Sequence, residues 1–381
     1  MIVIVGGGII GLASAYHLAD RGYDVTVCER TNLGTGSTER AVGGIRAQFS
    51  TAINITLSNY SIDVWERFEE EFGINIEYRQ HGYMFLAAEE ETAETVRDNV
   101  ALQQEHGVPS EYLDPEDAKE LLPELHAERF LGGSFSGRDG SADPHLAVQG
   151  FAEAIRERGG EIRKDVEVQD VVFGDDGPER VETSDGDIPA DYVINAAGPW
   201  APRIGELAGI DLPITPKRRQ VGVVRPEIPY PEDAPMVFDM DSGIYFLPDR
   251  EGDVLMGGHF GGPDPTVDPA NYSKDYDLDW IMEALELASD VSEHFGLDSE
   301  IKNGWAGLYA ITPDHKPIIE ESRPGFINAV GFSGHGFMHS PAVGTIVADL
   351  VEDGETSLVD LDILSLDRFE GETIEGEKSV L

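Results

Sequence analysis

The chain has 381 residues, 40% of them apolar, with 27 basic and 73 acidic side chains. This apolar content is sufficient for one large or two ordinary domains, which excludes a disordered protein. The formal charge of −46 indicates an acidic surface and argues against nucleic acid as a partner. Because salt screens the self-repulsion of such a surface, we predict a halophilic protein from a salt-rich cytoplasm; an acidic protein from an ordinary cell is the alternative.

The single cysteine, Cys28, excludes an intrachain disulfide and a thiolate metal site. The first five residues are apolar, lack a basic leader and lead straight into glycines, so they indicate a strand and not a signal peptide. No apolar run approaches the ~20 residues of a membrane span. We therefore expect a cytoplasmic protein without a membrane span.

The N-terminal segment carries a dinucleotide-binding fingerprint. The β-rich run at 2–5 leads into Gly-Gly-Gly-Ile-Ile-Gly at 6–11, a helical pattern follows at 12–21, and a second strand at 23–27 delivers Glu29. The glycines permit a tight turn, backbone approach to a pyrophosphate and close packing of helix on strand, while the helix N-terminus attracts phosphate. Glu29 is suited to a ribose diol and disfavours NADP. The fingerprint alone leaves FAD and NAD open.

Further along the chain, the second strand is followed by a long glycine-bearing loop at 34–46. In enzymes that bind only NAD, this strand usually leads directly into the next helix. Helical patterns and strand patterns then alternate, the later strands being of the antiparallel type joined by Pro- and Gly-bearing turns. The predicted helices are 60–72, 92–104, 145–158 and 278–295, and the predicted strands are 82–87, 166–173, 192–196, 213–225, 236–247 and 253–259. This order predicts a mixed-sheet second domain inserted into the first.

Two glycine-bearing turns are candidates for ligand contact. The turn at 195–200 follows a buried strand, and a plain cap of a core strand is the alternative. The loop at 331–341 precedes an apolar helix, for which Ser340 is the expected N-cap and Pro341 the expected first residue. A glycine-rich loop at a helix N-terminus is an anion site and suits the negative charge of reduced flavin; an ordinary helix entry is the alternative.

The whole chain resembles the D-amino-acid oxidase superfamily, most closely its sarcosine oxidase and dimethylglycine dehydrogenase branch. The segments that carry the resemblance are 6–11 with Glu29, 36–46, 195–200, 243–245, 305–313 and 331–336. The resemblance implies an α/β protein with mixed sheets: a Rossmann-type, glutathione-reductase-like FAD-binding domain and a second mixed-sheet substrate domain. The implied FAD-binding domain comprises 1–80, 143–214 and 305–365, the substrate domain 81–142 and 215–304, and a tail follows at 366–381.

The resemblance also implies which residues contact FAD. They lie in the fingerprint, in the long loop, at the ends of two strands and in the C-terminal glycine loop. They are Gly6, Gly8, Ile9, Ile10, Gly11, Glu29, Arg30, Gly36, Ser37, Thr38, Gly43, Gly44, Ile45, Val166, Ala197, Gly198, Trp200, Gly307, Gly334, His335, Gly336, Phe337 and Met338.

The implied reaction is oxidation of a small secondary or tertiary amine or an amino acid, sarcosine- or dimethylglycine-like, by hydride transfer to flavin N5 and hydrolysis of the imine. Arg46 matches the position that pairs with the substrate carboxylate, which a guanidinium fork suits. An anchor for loop carbonyls or for a flavin phosphate is its alternative role. Tyr245 and His259 match residues that line the substrate pocket, and a satisfied core position is the alternative for each.

Three positions depart from the family pattern. Gly307 stands where the cysteine that binds FAD covalently is found, which predicts non-covalent FAD. The lysine that promotes reaction with oxygen aligns with Met256, and a lysine beside the substrate carboxylate aligns with Met338. We therefore expect a dehydrogenase with an electron acceptor not specified by the sequence. A homo- or hetero-oligomeric assembly is a separate expectation, which these three positions do not test.

Other chemistries are less well supported. His335 and His339 have the spacing of helical zinc ligands, but no glutamate lies between them and Pro341 is expected to start the helix afterwards, so no metal is predicted. Ser333 begins a nucleophile elbow whose fifth residue is a histidine and not glycine. The remaining rivals are a 2-hydroxy-acid dehydrogenase on the same fold and a flavin-bearing subunit of a larger amine dehydrogenase complex.

Overall fold

The computed structural model describes residues 1–370 and 376–377. Its α-helices, in chain order, are α1 (Ile9–Asp20), α2 (Ala52–Glu66), α3 (Phe68–Phe72), α4 (Glu90–Glu105), α5 (Pro115–Leu121), α6 (Pro144–Glu157), α7 (Ala201–Leu207), α8 (Leu278–Val291) and α9 (Gly336–Asp353). None of these helices is long and apolar enough to cross a membrane.

The strands of the described residues form four sheets. In chain order they are β1 (Ile2–Val5), β2 (Val25–Glu29), β3 (Gly44–Ile45), β4 (Tyr83–Ala87), β5 (Glu111–Leu113), β6 (Gly132–Ser136), β7 (Gly140–Ser141), β8 (Glu161–Lys164), β9 (Val168–Phe173), β10 (Pro178–Thr183), β11 (Gly186–Pro189), β12 (Tyr192–Asn195), β13 (Thr215–Arg225), β14 (Met236–Asp239), β15 (Ile244–Pro248), β16 (Val254–Gly258), β17 (Glu300–Ile311), β18 (Ile318–Arg323) and β19 (Phe326–Val330).

A six-stranded sheet in the order β18-β19-β12-β1-β2-β8 organises the N-terminal part of the fold. It is parallel except for its antiparallel edge pair, β18 and β19. Strand β1 is buried throughout, as its unbroken apolar run predicts. Helices α1, α6 and α9 pack on one face, and the small sheet β11-β10-β9 with α7 packs on the other. This arrangement confirms the predicted α/β class.

A second, eight-stranded sheet in the order β17-β13-β16-β15-β14-β4-β6-β5 is antiparallel except where β14 meets β4. Because side chains alternate along a strand, its two faces differ. Phe246 and Met256 face a core closed by α8, whereas Tyr83, Met236 and Tyr245 form a cluster on the opposite face. That opposite face lines the cavity described below.

One predicted domain boundary falls inside an element. Strand β17 runs without interruption from Glu300 to Ile311 and pairs along its length with β13, so a boundary at residue 305 would divide it. Of the predicted tail at 366–381, the structure describes 366–370 and 376–377. The buried Glu377 carboxylate accepts hydrogen bonds from the Ser50 amide at 2.8 Å and the Thr51 hydroxyl at 2.6 Å. The rest of the tail lies outside the described residues.

The predicted start of the C-terminal helix was wrong by five residues. Helix α9 begins at Gly336, with His335 as its N-cap, and Pro341 lies inside it. A proline has no amide to donate to the carbonyl four residues earlier, which here belongs to Phe337. The Ser340 hydroxyl donates to that carbonyl at 2.9 Å, which explains why the helix continues through the proline.

Two other predicted elements also needed correction. The single strand expected at 236–247 is divided into β14 and β15 by a turn in which the Asp239 carboxylate accepts the Ser242 hydroxyl at 2.7 Å. The helix expected at 60–72 begins earlier, at Ala52, and is interrupted at Arg67, between α2 and α3.

Candidate active site

One cavity of 680 Å³ lies between the carboxyl ends of the parallel strands and the cavity-side face of the eight-stranded sheet. Such a position, at the ends of parallel strands, is where open α/β sheets bind ligands. The volume lies in the range of small-molecule and cofactor sites, ~300–1,000 Å³. The two sheets therefore share one ligand space.

The fingerprint forms the floor of the cavity. Gly6 has φ +113°, a conformation that favours glycine, and a Cβ there would overlap the carbonyl of Ala196. Gly8 is the N-cap of α1 and lines the cavity. A Cβ on Gly11 would overlap the Gly6 carbonyl, so Gly11 serves helix packing behind the turn and does not line the cavity. The three glycines thus have the separate roles that the motif requires.

Glu29 ends β2 with its carboxylate at the cavity. One oxygen accepts the Gly7 amide at 2.9 Å, and the other accepts the Thr31 amide at 2.8 Å and its hydroxyl at 2.9 Å. These bonds fix the orientation of the carboxylate while each oxygen keeps accepting capacity. The geometry is that of a prepositioned acceptor for a diol.

Most of the residues predicted to contact FAD lie on the cavity wall. The structure places there Gly6, Gly8, Ile9, Ile10, Glu29, Arg30, Gly36, Ser37, Thr38, Gly43, Gly44, Val166, Ala197, Gly198, Trp200, Gly307, Gly334, His335, Gly336, Phe337 and Met338. Gly11 and Ile45 are outside it. Ile45 is fully buried in the core formed with α1 and α9.

Nε1 of Trp200 and Nδ1 of His335 are among the buried nitrogen atoms of cavity-lining residues that have no hydrogen-bond partner among the described residues. Burial and the nearby Arg46 charge hold the pKa of His335 well below its ordinary value, so the ring is neutral. Its Nε2 lies 3.3 Å from Nη2 of Arg46, which can only donate, so the proton of the neutral ring is on Nδ1. Both sites therefore have a donor available to a large polar ligand such as FAD.

The C-terminal glycine loop reaches the cavity immediately before α9. Ser333 and Gly334 have φ of +52° and +98°, and a Cβ on Gly334 would overlap the ring of Tyr309. The loop thereby brings the first turn of α9, from Gly336 to Met338, to the cavity wall. The positive end of this 18-residue helix favours negative charge on a ligand.

The opposite wall is aromatic. Tyr83, Tyr245 and Tyr309 all line it, and burial raises the pKa of each phenol, so the three hydroxyls are protonated at neutral pH. Gly257 on β16 pairs directly with Tyr245 on the adjacent strand β15, and a Cβ at Gly257 would overlap the phenol. This wall combines apolar surface with hydroxyl donors.

Arg46 is not on the cavity wall. It is fully buried, its guanidinium donates to the carbonyl of Gln48, and it lies 3.9 Å above the ring of Phe49. Burial lowers its pKa, and the Glu377 carboxylate acts in the opposite direction. These contacts favour the alternative role, an anchor for a loop carbonyl, whereas pairing with a substrate carboxylate stays a prediction.

His259 also lies outside the cavity lining, with Nδ1 3.9 Å from a carboxylate oxygen of Asp264. The position of Met256 requires a correction, because its side chain is fully buried in the core beneath α8, on the face opposite the cavity. A residue at 256 therefore cannot place a charge in the cavity. The neighbours Leu255 and Gly257 lie on the face of the sheet that carries Tyr245, and neither is cationic.

His339 lies within α9 and His335 is its N-cap, so the expectation that the helix starts only after both histidines was wrong. Nε2 of His339 is 3.0 Å from the Ser58 hydroxyl. In the described part of the chain, no three His, Cys, Asp or Glu side chains are grouped as metal ligands.

Several cavity residues of the second sheet were not predicted from the sequence, above all Arg219 on β13 and Tyr309 on β17. Tyr309 lay within a segment that carried the family resemblance. Arg219 lay within a correctly predicted strand, where alternation placed it on the same face as Val221. Only the packing of the sheet shows that this face lines the cavity.

The fold and the cavity define a protein that binds a dinucleotide between a Rossmann-type sheet and a second, largely antiparallel sheet. The profile of the DAO family, described as FAD dependent oxidoreductase, matches residues 1–350. The chain belongs to this family of FAD-dependent oxidoreductases, which confirms the resemblance and FAD as the cofactor.

Similar proteins support the assignment to this family. The chain is 30% identical over 380 residues to mitochondrial dimethylglycine dehydrogenase of Rattus norvegicus, covering 94% of this chain but 44% of that protein. It is 29% identical over 379 residues to glycine oxidase of Geobacillus kaustophilus, covering 97% of both. Among solved structures, L-proline dehydrogenase from P. horikoshii matches with a TM-score of 0.90 and 33% identity over 98% of each chain. The chain thus spans less than half of the dimethylglycine dehydrogenase it matches.

Proposed function

We propose that the protein oxidises a small secondary or tertiary amine or an amino acid, of the sarcosine or dimethylglycine type, with FAD as the oxidant. The observation that carries this proposal is the single cavity shared by the dinucleotide fingerprint and the tyrosine-lined wall. The relatives named above are called after dimethylglycine, glycine and L-proline, in each of which an amine is attached to the carbon beside a carboxylate. That common group is the substrate class we propose here.

The residues present fit FAD. The fingerprint and the N-terminus of α1 would hold the pyrophosphate, Glu29 the ribose diol, and the first turn of α9 the electron-rich part of the flavin. Bound FAD supplies a hydride acceptor. The protein's own contribution is to orient the substrate against the aromatic wall, where the hydroxyls of Tyr245 and Tyr309 are donors.

We propose that FAD is bound without a covalent link. Gly307 offers no side chain for a bond. The sole cysteine, Cys28, lines the cavity, but burial raises the pKa of its thiol to about 11, so the nucleophilic thiolate is scarce at neutral pH. Release of all the flavin into the supernatant on acid denaturation is expected.

We further propose that the enzyme passes its electrons to an acceptor other than oxygen. The support comes from β16, where Met256 stands at the position of the family's lysine and its neighbours Leu255 and Gly257 are uncharged. We also propose a cytoplasmic location and a homo- or hetero-oligomeric assembly.

An anaerobic substrate panel tests the proposed function. The oxidised holoenzyme would be mixed with N-methylglycine, N,N-dimethylglycine, glycine and proline, and bleaching of the flavin absorbance would be followed. We expect bleaching by at least one of these amines and slow return of colour when air is admitted. Bleaching only by 2-hydroxy acids, or by none of these compounds, would contradict amine oxidation, and immediate reoxidation by air would contradict the proposed acceptor.

A further inference from the structure

Arg219 is a cation on the cavity wall, and it has no part in the contacts with FAD or with the substrate proposed so far. It lies on β13, in register with Gly307 of β17, and both residues line the cavity. Its guanidinium carbon is 5.3 Å from the centroid of the Tyr309 ring. Arg219 is also one of the charges that lower the pKa of Tyr245 and Tyr309 against the effect of burial. It therefore belongs to the aromatic wall where the substrate is proposed to lie.

Two donor atoms of Arg219 make no hydrogen bond within the described part of the fold. Its Nε and Nη1 are buried and make no hydrogen bond with any described residue, although Nη1 lies 2.6 Å from a carboxylate oxygen of Asp264. The adjacent Arg218 is different: Nε donates to the Ser273 carbonyl at 3.0 Å and Nη1 to the Asp277 carboxylate at 2.8 Å. Arg218 thus anchors a loop, whereas Arg219 holds an ion pair with unsatisfied donors.

Asp264 is placed so that another carboxylate can replace it. Its side chain is 26% exposed, against 11% for Arg219, and its backbone carbonyl accepts Nζ of Lys217 at 3.1 Å. The main chain at 264 therefore has an anchor of its own, independent of the Asp264 carboxylate. When an arginine makes an ion pair without well-aligned hydrogen bonds, its carboxylate partner is readily replaced by another carboxylate that aligns better.

We propose that Arg219 binds the carboxylate of the substrate, taking it in exchange for that of Asp264. This inference rests on the proposed amine oxidation and narrows its substrate class to amino acids, in which a carboxylate stands beside the carbon that carries the amine. A planar fork with buried donors binds a carboxylate in one orientation, which fixes the neighbouring carbon and amine relative to the cavity floor. Simple amines without a carboxylate are poor substrates because they leave this arrangement unused.

The test uses the FAD-loaded enzyme and acetate, a carboxylate that cannot be oxidised. Its dissociation constant would be measured from the perturbation of the flavin spectrum in the native enzyme, in Arg219→Ala, in Arg219→Lys and in Asp264→Asn. Loss of charge-assisted hydrogen bonds predicts a dissociation constant about 10- to 100-fold higher in R219A. R219K is expected to lie between R219A and the native enzyme, and D264N to bind acetate more tightly because the competing carboxylate is gone.

Arg225→Ala is the matched control, because Arg225 lies on the same strand, is half exposed and pairs with Asp253 away from the cavity. FAD content and melting temperature of R219A and R225A are expected to equal those of the native enzyme. Unchanged acetate binding in R219A, with FAD retained, would overturn the inference even if the native enzyme oxidises amines. Conversely, weaker acetate binding in R219A with no amine oxidised by the native enzyme would leave the carboxylate site standing and refute the proposed function.

A matched pair of substrates gives a second readout. In R219A the KM for N-methylglycine is expected to rise by a similar factor, while kcat/KM for dimethylamine, which lacks the carboxylate, stays as in the native enzyme. Equal losses on both compounds would show a general disturbance of the site and would overturn the assignment.

Discussion

At the residue scale, Arg46 shows how a match in sequence and a position in the structure can suggest different roles. Its guanidinium donates to the Gln48 carbonyl and lies 3.3 Å from Nε2 of His335, with no face on the cavity wall. A buried arginine with these contacts shapes the loop after β3 and sets the tautomer of His335. Its removal leaves a carbonyl and a ring nitrogen without their donor.

We therefore expect Arg46→Met to lower the free energy of unfolding by about 2–4 kcal/mol and to weaken FAD retention. Urea unfolding and the ratio of flavin to protein absorbance measure the two effects. Substrate binding in the FAD-loaded fraction is expected to be unchanged. If instead R46M keeps its FAD and stability but binds substrate more weakly, Arg46 is a carboxylate anchor as the family resemblance implies.

At the element scale, the contact between α2 and α9 includes a buried histidine. Burial lowers the pKa of His339 to about 3, and the Arg46 charge acts in the same direction. Its neutral ring has Nε2 3.0 Å from the Ser58 hydroxyl on α2. Because the unfolded chain binds a proton near pH 6.5 and the folded chain does not, folding is opposed once the pH falls below that value.

The stability that His339 contributes is therefore fully present above about pH 6.5 and is lost progressively as the pH falls toward 3, by on the order of 5 kcal/mol. His339→Asn keeps a polar side chain at the contact and removes this titration. We expect the melting temperature of H339N to depend less steeply on pH between about 4 and 6.5 than that of the native protein. Parallel curves for the two proteins would refute the assignment.

At the scale of the whole molecule, the charge of −46 is the dominant feature. Mutual repulsion of the 73 acidic side chains, opposed by only 27 basic ones, destabilises the compact state at low ionic strength. Near 1 M salt the screening length is about 3 Å, shorter than most distances between surface charges. The protein is therefore expected to be more stable in concentrated salt.

We expect the melting temperature to rise continuously as KCl increases from about 0.1 to above 1 M, with most of the gain from screening below 1 M. Sucrose serves as the control, since it strengthens burial without screening charge. A flat response to KCl would contradict the prediction of a halophilic protein and favour the alternative, an acidic protein from an ordinary cell.

Local patterns in the sequence were sufficient for the fingerprint. Gly6, Gly8 and Glu29 occupy their predicted places because a strand, a tight turn and a helix follow one another within thirty residues and need no distant partner. The start of α9 was predicted wrongly because that prediction relied on a local signal alone. Pro341 is a strong local signal for a helix start, but Ser340 satisfies the carbonyl that the proline leaves, and the helix begins earlier.

The sequence by itself therefore determined the family, the cofactor and the strands that carry the cavity residues. The tertiary structure decided which face of each strand lines the cavity. Alternation along β13 and β16 separates two sets of side chains, and both faces of this sheet carry buried residues, so periodicity cannot distinguish them. The packing of α8 on one face assigns Met256 to the core and leaves Arg219 on the cavity wall.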